Sequence, residues 1–338
     1  MNETSLQVEY QKLCPGVTKV FVVPKVPQKN RDTSYLYQLY KNFLEDSSSQ
    51  IKIKTFNAAF LPLILLSRLK FEKSILHYHW FEFEDAKSFI GMKWKLFWII
   101  IYKIMGGKII WTVHNKYPHH NKYIFFNKKI RKFIAKLANR LHIHCESAIS
   151  SCSEVLGVPE NKFFVVRHPE FPSTIIERNK AIENLNQKYL SGKIKAEDKV
   201  FLMFGAIAEY KGIKEVINIF NGLDKRNKLL IAGFIKRRNN DYYSELQLIS
   251  NKENIFIIGE MISDKDVPYF FCSADCTIFN YRNVLTSGGI HLALAYKKHV
   301  IVPLSGCLKE LRNDQINFFE AGRNRDKNLI FAIRQFVK

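Results

Sequence analysis

Imidazole is concentrated in WTVHNKYPHH, residues 111–120, where His114, His119 and His120 follow an apolar, β-like run together with Asn115. The C-terminal end of a strand is where α/β sheets present residues to ligands. A histidine there has a pKa suited to taking a proton from a hydroxyl. Metal ligation competes, because His77 and His79 occupy a second strand tip. No HExxH or Cys/His zinc spacing accompanies them, so no metal is expected. Glu82, in HWFEFED, is an alternative base and Asp85 a further one. Either also suits a helix entry, where the dipole favours a carboxylate.

A second chemistry is anion binding. FNYRNVLTSGG, residues 279–289, joins a strand-like run to a helical one. Thr286 and Ser287 are capping types, and Gly288 and Gly289 let main-chain amides approach a ligand closely. Free N–H groups at a helix start bind phosphate. FGAIAEYKG, residues 204–212, is a similar junction, with Gly205 at the turn and Lys211 placed to reach a diphosphate. GFIKRR, residues 233–238, adds cations at the same edge. A capped helix and solvated lysines are the bland alternative for all three loops.

These loops need a scaffold, and the hydrophobic pattern supplies one. Runs such as KVFVVP, SILHYHW and KIIWTV alternate with stretches of helical periodicity, among them SYLYQLYKNFLED with Ser34 as its cap. The alternation restarts at KVFLMFGAI and continues through KLLIAGFI, NIFIIGEM, CTIFNYR and HVIVPL. Strand–helix alternation predicts parallel βαβ units. The expected fold is α/β: two Rossmann-like doubly wound domains facing a central cleft. The first spans residues 1–172 and the second 199–338, joined by a polar, strandless linker over 173–198. Neither GxGxxG nor GxxxxGK[ST] occurs.

Composition narrows the partners. Lys and Arg outnumber Asp and Glu by 52 to 31, a formal charge of +21, which favours an anionic partner: nucleic acid, a phosphorylated substrate or an acidic membrane face. No RNA-binding or helix-turn-helix signature stands out, so nucleic acid is not expected. The six cysteines form no CxxC pair and read as reduced thiols of a cytoplasmic protein. The most apolar run, LFWIIIY at 96–102 between Lys95 and Lys103, is too short to span a bilayer. With its lysines and aromatics it suits peripheral contact with an anionic inner membrane face, or plain core packing.

The order FGAIAEYKGI, IAGFI, NIFIIGEM and NYRNVLTSGGIHLALAYKKHVIVP resembles the donor half of a GT-B glycosyltransferase. ILHYHWFE, KIIWTVHNKYPHH and VVRHPEF resemble acceptor-half and hinge motifs of bacterial polysaccharide glycosyltransferases of the GT4-like group. The similarity covers roughly residues 19–310. It implies sugar transfer from a nucleotide diphosphate sugar to a glycan or polyprenyl-diphosphate-linked acceptor, with no cofactor. It implies donor contacts from Gly205, Lys211, Tyr281, Arg282, Thr286, Ser287, Gly288 and Gly289. His114, His119 and Glu82 are the candidates for chemistry, and Asn30, Tyr35, His79 and Asn115 for the acceptor. His168 would stand at the hinge. Two departures matter. The two glutamates of many retaining members fall here at Val284 and Leu292, and the arginine after the first donor glycine is Ala206. Inversion is therefore the expected stereochemistry. A degenerate GT-B scaffold, or a basic nucleic-acid-binding protein, is the alternative.

Overall fold

The Val- and Ile-rich runs assemble into two separate parallel six-stranded sheets, one in each of two units. The structure is a computed structural model and describes residues 5–337 other than 84, 118–122, 237, 238, 283 and 312. The first unit comprises Met1–Lys29 and Ser34–Pro169, the second Asn30–Thr33 and Glu170–Lys338.

In the first unit the strands are β1 (Lys19–Val23), β2 (Lys52–Thr55), β3 (Ser74–Tyr78), β4 (Lys108–Thr112), β5 (Arg140–Ile143) and β6 (Phe163–Val165). The helices are α1 (Leu6–Leu13), α2 (Tyr35–Glu45), α3 (Leu65–Leu69), α4 (Ala86–Ile104), α5 (Ile124–Leu137) and α6 (Ile149–Leu156). Ser34 caps α2 by accepting from Tyr37 N, and Asp85 and Ser88 form a capping box on α4. The sheet order is β2–β1–β3–β4–β5–β6. The chain steps one way from β1 and the other way from β3, so the switch point where such sheets bind ligands lies between those two strands. Val20, Val22, Leu36, Tyr40 and Ile75 are fully or almost fully buried in the core beneath it.

The second unit holds β7 (Lys199–Phe204), β8 (Asn227–Ala232), β9 (Ile255–Ile258), β10 (Cys276–Ile278), β11 (His299–Pro303) and β12 (Ile316–Phe319). Its helices are α7 (Arg178–Leu185), α8 (Ile213–Asn221), α9 (Asn240–Ile249), α10 (Val267–Ser273), α11 (Gly288–Ala295) and α12 (Arg325–Val337). The order β12–β11–β10–β7–β8–β9 puts the switch point between β7 and β10, with Cys276 opposite Phe201. Phe201, Val216, Phe220 and Ile231 anchor that core. The 173–198 stretch carries α7, packed on α10.

Among the described residues Cys14, Cys152, Cys272 and Cys276 are free thiols. Among the described residues no helix is long and apolar enough to cross a membrane.

Candidate active site

The donor-side candidates gather at the switch point of the second sheet. β7 runs into Gly205, whose φ of +95° an L side chain rarely adopts. Lys211 comes from the short turn Glu209–Lys211 and is buried, its Nζ donating to the Phe204 carbonyl at 3.0 Å. Burial disfavours its charged form and brings its pKa down to about 7. Gly205, Lys211, Asn280 and Tyr281 line one small cavity. Tyr281 stacks on Tyr210, with centroids 6.0 Å apart, and its hydroxyl is 2.8 Å from Ser287 Oγ.

That last bond matters for α11. Ser287 is the N-cap residue, yet its side chain makes no bond to the helix amides. The first N–H groups of a helix have no carbonyl partner within it. Here they belong to Gly288 and Gly289, beside a buried Thr286 Oγ1 without a hydrogen-bond partner among the described residues. Main-chain donors, a spare hydroxyl and a displaceable lysine are the groups that receive a diphosphate.

Arg282 departs from its expected role. Its guanidinium pairs with Glu215 at a largely exposed position. The arginine built into the site is Arg325, at the start of α12. It donates to the Asn280 carbonyl at 2.9 Å, to the Asn280 side chain and to the Tyr281 carbonyl at 3.3 Å. Asn280 is fully buried and donates in turn to the Gly212 carbonyl at 2.8 Å. Gly212 has φ +60°, and a Cβ there would lie 2.4 Å from Asn280 Nδ2. Gly212→Ala is therefore expected to cost about 2–4 kcal/mol, from left-handed strain plus a broken buried hydrogen bond. Thermal unfolding of the variant measures it. Leu292 is buried in α11.

On the acceptor side, three adjacent strands each carry two polar residues at spacing two: His77 and His79, Thr112 and His114, His142 and His144. Register sets Thr112 opposite His142, and period two puts all six on one face of the sheet. Tyr10, Tyr35 and Tyr40 meet them there. The Val166 carbonyl only accepts, which fixes the direction of the hydrogen-bond chain as far as His77. His142 donates to it from Nε2 at 3.0 Å and accepts at Nδ1 from Thr112 Oγ1 at 3.0 Å. Thr112 accepts from His77 Nε2 at 2.7 Å, and His77 Nδ1 faces the phenols of Tyr10 and Tyr40 at 2.6 and 2.7 Å. With Tyr40 donating to His77, its oxygen accepts from His79 Nε2 at 2.8 Å, and His79 Nδ1 accepts from His114 Nε2 at 3.2 Å. The proton of His114 then sits on Nε2 and the lone pair on Nδ1.

Burial keeps these rings neutral. His77 is pushed down to about 3 and His144 to about 4, and His79 and His142 lie well below the usual imidazole value. His114 is only partly buried and stacks on Trp80, with centroids 4.5 Å apart. Tyr35 sits edge-on to His114 and is 2.9 Å from His144 Nε2. His168 lies against the same ring, centroids 5.1 Å apart, with Nδ1 2.9 Å from the Pro169 carbonyl.

His79 is buried with both ring nitrogens engaged, so it supports His114 and is not itself presented to an acceptor. Glu82 pairs with the buried Arg131 at 3.0 Å, and Arg131 also holds the Asn115 carbonyl and lies over Trp111. That ion pair occupies the Glu82 carboxylate, and Asn115 contributes its main-chain carbonyl to the same anchor. Asn30 has φ +52° and groups with the second unit. His119 lies outside the described residues. Among those described, no group of three or more His, Cys, Asp or Glu is placed to hold a metal ion.

Residues 188–338 match the family described as "Glycosyl transferases group 1". Among solved structures the chain is similar to Anabaena Alr3699/HepE in complex with UDP-glucose, at 15% identity over 94% of this chain and 91% of that one, TM-score 0.64. It is similar to a glycosyltransferase from Rickettsia africae ESF-5, at 17% identity over 96% and 93%, TM-score 0.58. It is also similar to sucrose-phosphate synthase from Thermosynechococcus elongatus, at 11% identity over 94% and 88%, TM-score 0.68. At such identities the shared property is the fold. No curated protein sequence matches the chain.

Proposed function

We propose that this GT-B glycosyltransferase, whose residues 188–338 carry the group 1 domain, moves a sugar from a nucleotide diphosphate donor onto a lipid-linked or glycan acceptor in bacterial surface polysaccharide synthesis, without a metal. One observation carries the donor half: the uncapped start of α11, beside the buried Lys211 and the unpartnered Thr286 hydroxyl. The acceptor half rests on His114. In the proposed step, His114 takes the proton of the acceptor hydroxyl. The acceptor oxygen forms the new bond at the anomeric carbon as the bond from that carbon to the diphosphate oxygen breaks. The diphosphate leaves with the electron pair, and Lys211 and the α11 amides meet its charge. Val284 and Leu292 replace the glutamate pair of retaining relatives, which supports inversion. Because Alr3699/HepE is seen with UDP-glucose, UDP and its sugars head the set of donors to screen.

Lys211 tests the donor half. Lys211→Met is expected to weaken nucleoside diphosphate binding about 10- to 100-fold, the worth of a charge-assisted contact. The native lysine, at about 7 when empty, must be protonated to meet the diphosphate, so binding takes up a proton above that pH. Native affinity is then expected to fall by up to about tenfold per pH unit above neutrality, and the variant's to stay flat. Calorimetry in two buffers of different ionisation enthalpy reads the proton directly. Equal affinities in the two proteins would remove Lys211 from the site.

A further inference from the structure

The longest helix of the first unit is apolar on two sides. Met92, Ile99 and Tyr102 of α4 are buried, whereas Ile90, Trp94, Phe97 and Ile104 are exposed, Ile90 by 70% and Ile104 by 78%. Their spacing of four, three and seven makes one stripe along the helix. Beside it runs the turn Ala58–Ile64 continuing into α3, tied on by Trp94 Nε1 to the Ala58 carbonyl at 3.3 Å and by Arg68 Nε to the Met105 carbonyl at 3.0 Å. This second ridge exposes Phe60, Leu63, Leu66 and Leu69, and ends at Phe71, which is 90% exposed. Two parallel ridges of open apolar side chains form a patch of the kind that marks an interface.

Charge selects the occupant. Residues 57–71 and 86–108 contain Arg68, Lys70, Lys87, Lys93, Lys95, Lys103 and Lys108 and not one Asp or Glu. A two-fold contact with a second copy would set these cations against themselves, and lysine is depleted at protein interfaces. Asp85, which caps α4, and Glu72, paired with Lys19, stand at the ends of the ridges, and between them apolar and aromatic side chains interleaved with lysine match the headgroup region of an anionic bilayer.

We infer that this face, formed by the 58–71 ridge and the outer stripe of α4, docks the protein on an anionic membrane surface. The inference deepens the lipid-linked-acceptor reading, since it places the protein where such an acceptor lies. The partition measurement uses no nucleotide and no acceptor. The full chain is floated with vesicles of phosphatidylcholine, or of equal parts phosphatidylcholine and phosphatidylglycerol. It is expected to partition onto the anionic vesicles at least about tenfold more strongly than onto the neutral ones. The triple substitution Leu63→Gln, Ile90→Gln, Phe97→Gln, and separately Lys70→Gln, Lys87→Gln, Lys93→Gln, should each weaken that partition by about tenfold or more. All six side chains are exposed or on an exposed ridge, so UDP-induced thermal stabilisation should match the native protein and shows that each variant is folded. Undiminished partition in both variants overturns the inference. So does a native dimer, by light scattering, that the apolar variant converts to monomer. Loss of UDP stabilisation in the native protein would instead count against the donor site.

Discussion

Replacing His114 by alanine is expected to lower turnover by about 10²- to 10³-fold while leaving nucleotide affinity nearly unchanged. The residue follows β4, and its Nε2 is bound to His79 in a chain that begins at the Val166 carbonyl. With Tyr40 donating to His77, Nδ1 of His114 is the nitrogen that holds a lone pair for a hydroxyl proton. Trp80 fixes the plane of the ring by stacking on it. His114→Gln keeps a polar side chain of similar reach yet cannot act as a base, so it should fall as far as alanine. Tyr40→Phe breaks the chain two bonds away. Acting only through position, it should lower kcat less and shift the pH profile of kcat. The measurements are kcat for transfer and nucleotide Kd on one preparation of each variant. Turnover within about threefold of native in both His114 variants would exclude it as the base.

The second large effect is acid lability of the first unit. In the folded protein His77 titrates near 3 and His144 near 4, against the ordinary 6.5, because burial penalises the imidazolium. Between those values the unfolded chain binds protons that the folded one refuses. Stability is therefore full above about pH 6.5 and falls as pH drops toward 4. At pH ~4.5 these two residues alone cost about 3 kcal/mol apiece. His79 and His142 act in the same direction. A domain has only about 5–15 kcal/mol to lose. Tm is expected to drop by about 10 °C or more between pH ~7 and ~5. Circular dichroism against pH checks this, and a Tm that stays constant over that range would mean the rings already carry protons in the folded state.

Much of the scaffold was legible because βαβ periodicity is local. KVFVVP, KIIWTV and KVFLMF announce strands from composition alone, and Ser34 and Asp85 lie next to the helices they start. Gly205, Lys211, Tyr281 and Ser287 were also legible, since each borders a strand-to-helix junction. What escaped depends on distant pairing. Arg325 reaches Asn280 across 45 positions, and Arg131 reaches Glu82 across 49. The alternation HYH, TVH and HIH in three neighbouring strands was the one sign of the buried histidine face. It becomes visible only once those strands are set side by side, and His79 then turns from an acceptor contact into a support. The 58–69 ridge was missed for a different reason: AAFLPLILLSRL is apolar up to Ser67 and Arg68 and has neither period two nor a helical gap pattern.

The bond between Ser287 and Tyr281 leaves α11 without the cap its own sequence offers. The chain thus builds this helix without a side-chain cap, and under the proposed function the pyrophosphate of the donor would take that place. In that reading substrate and secondary structure share a single set of donors, the first main-chain amides of α11.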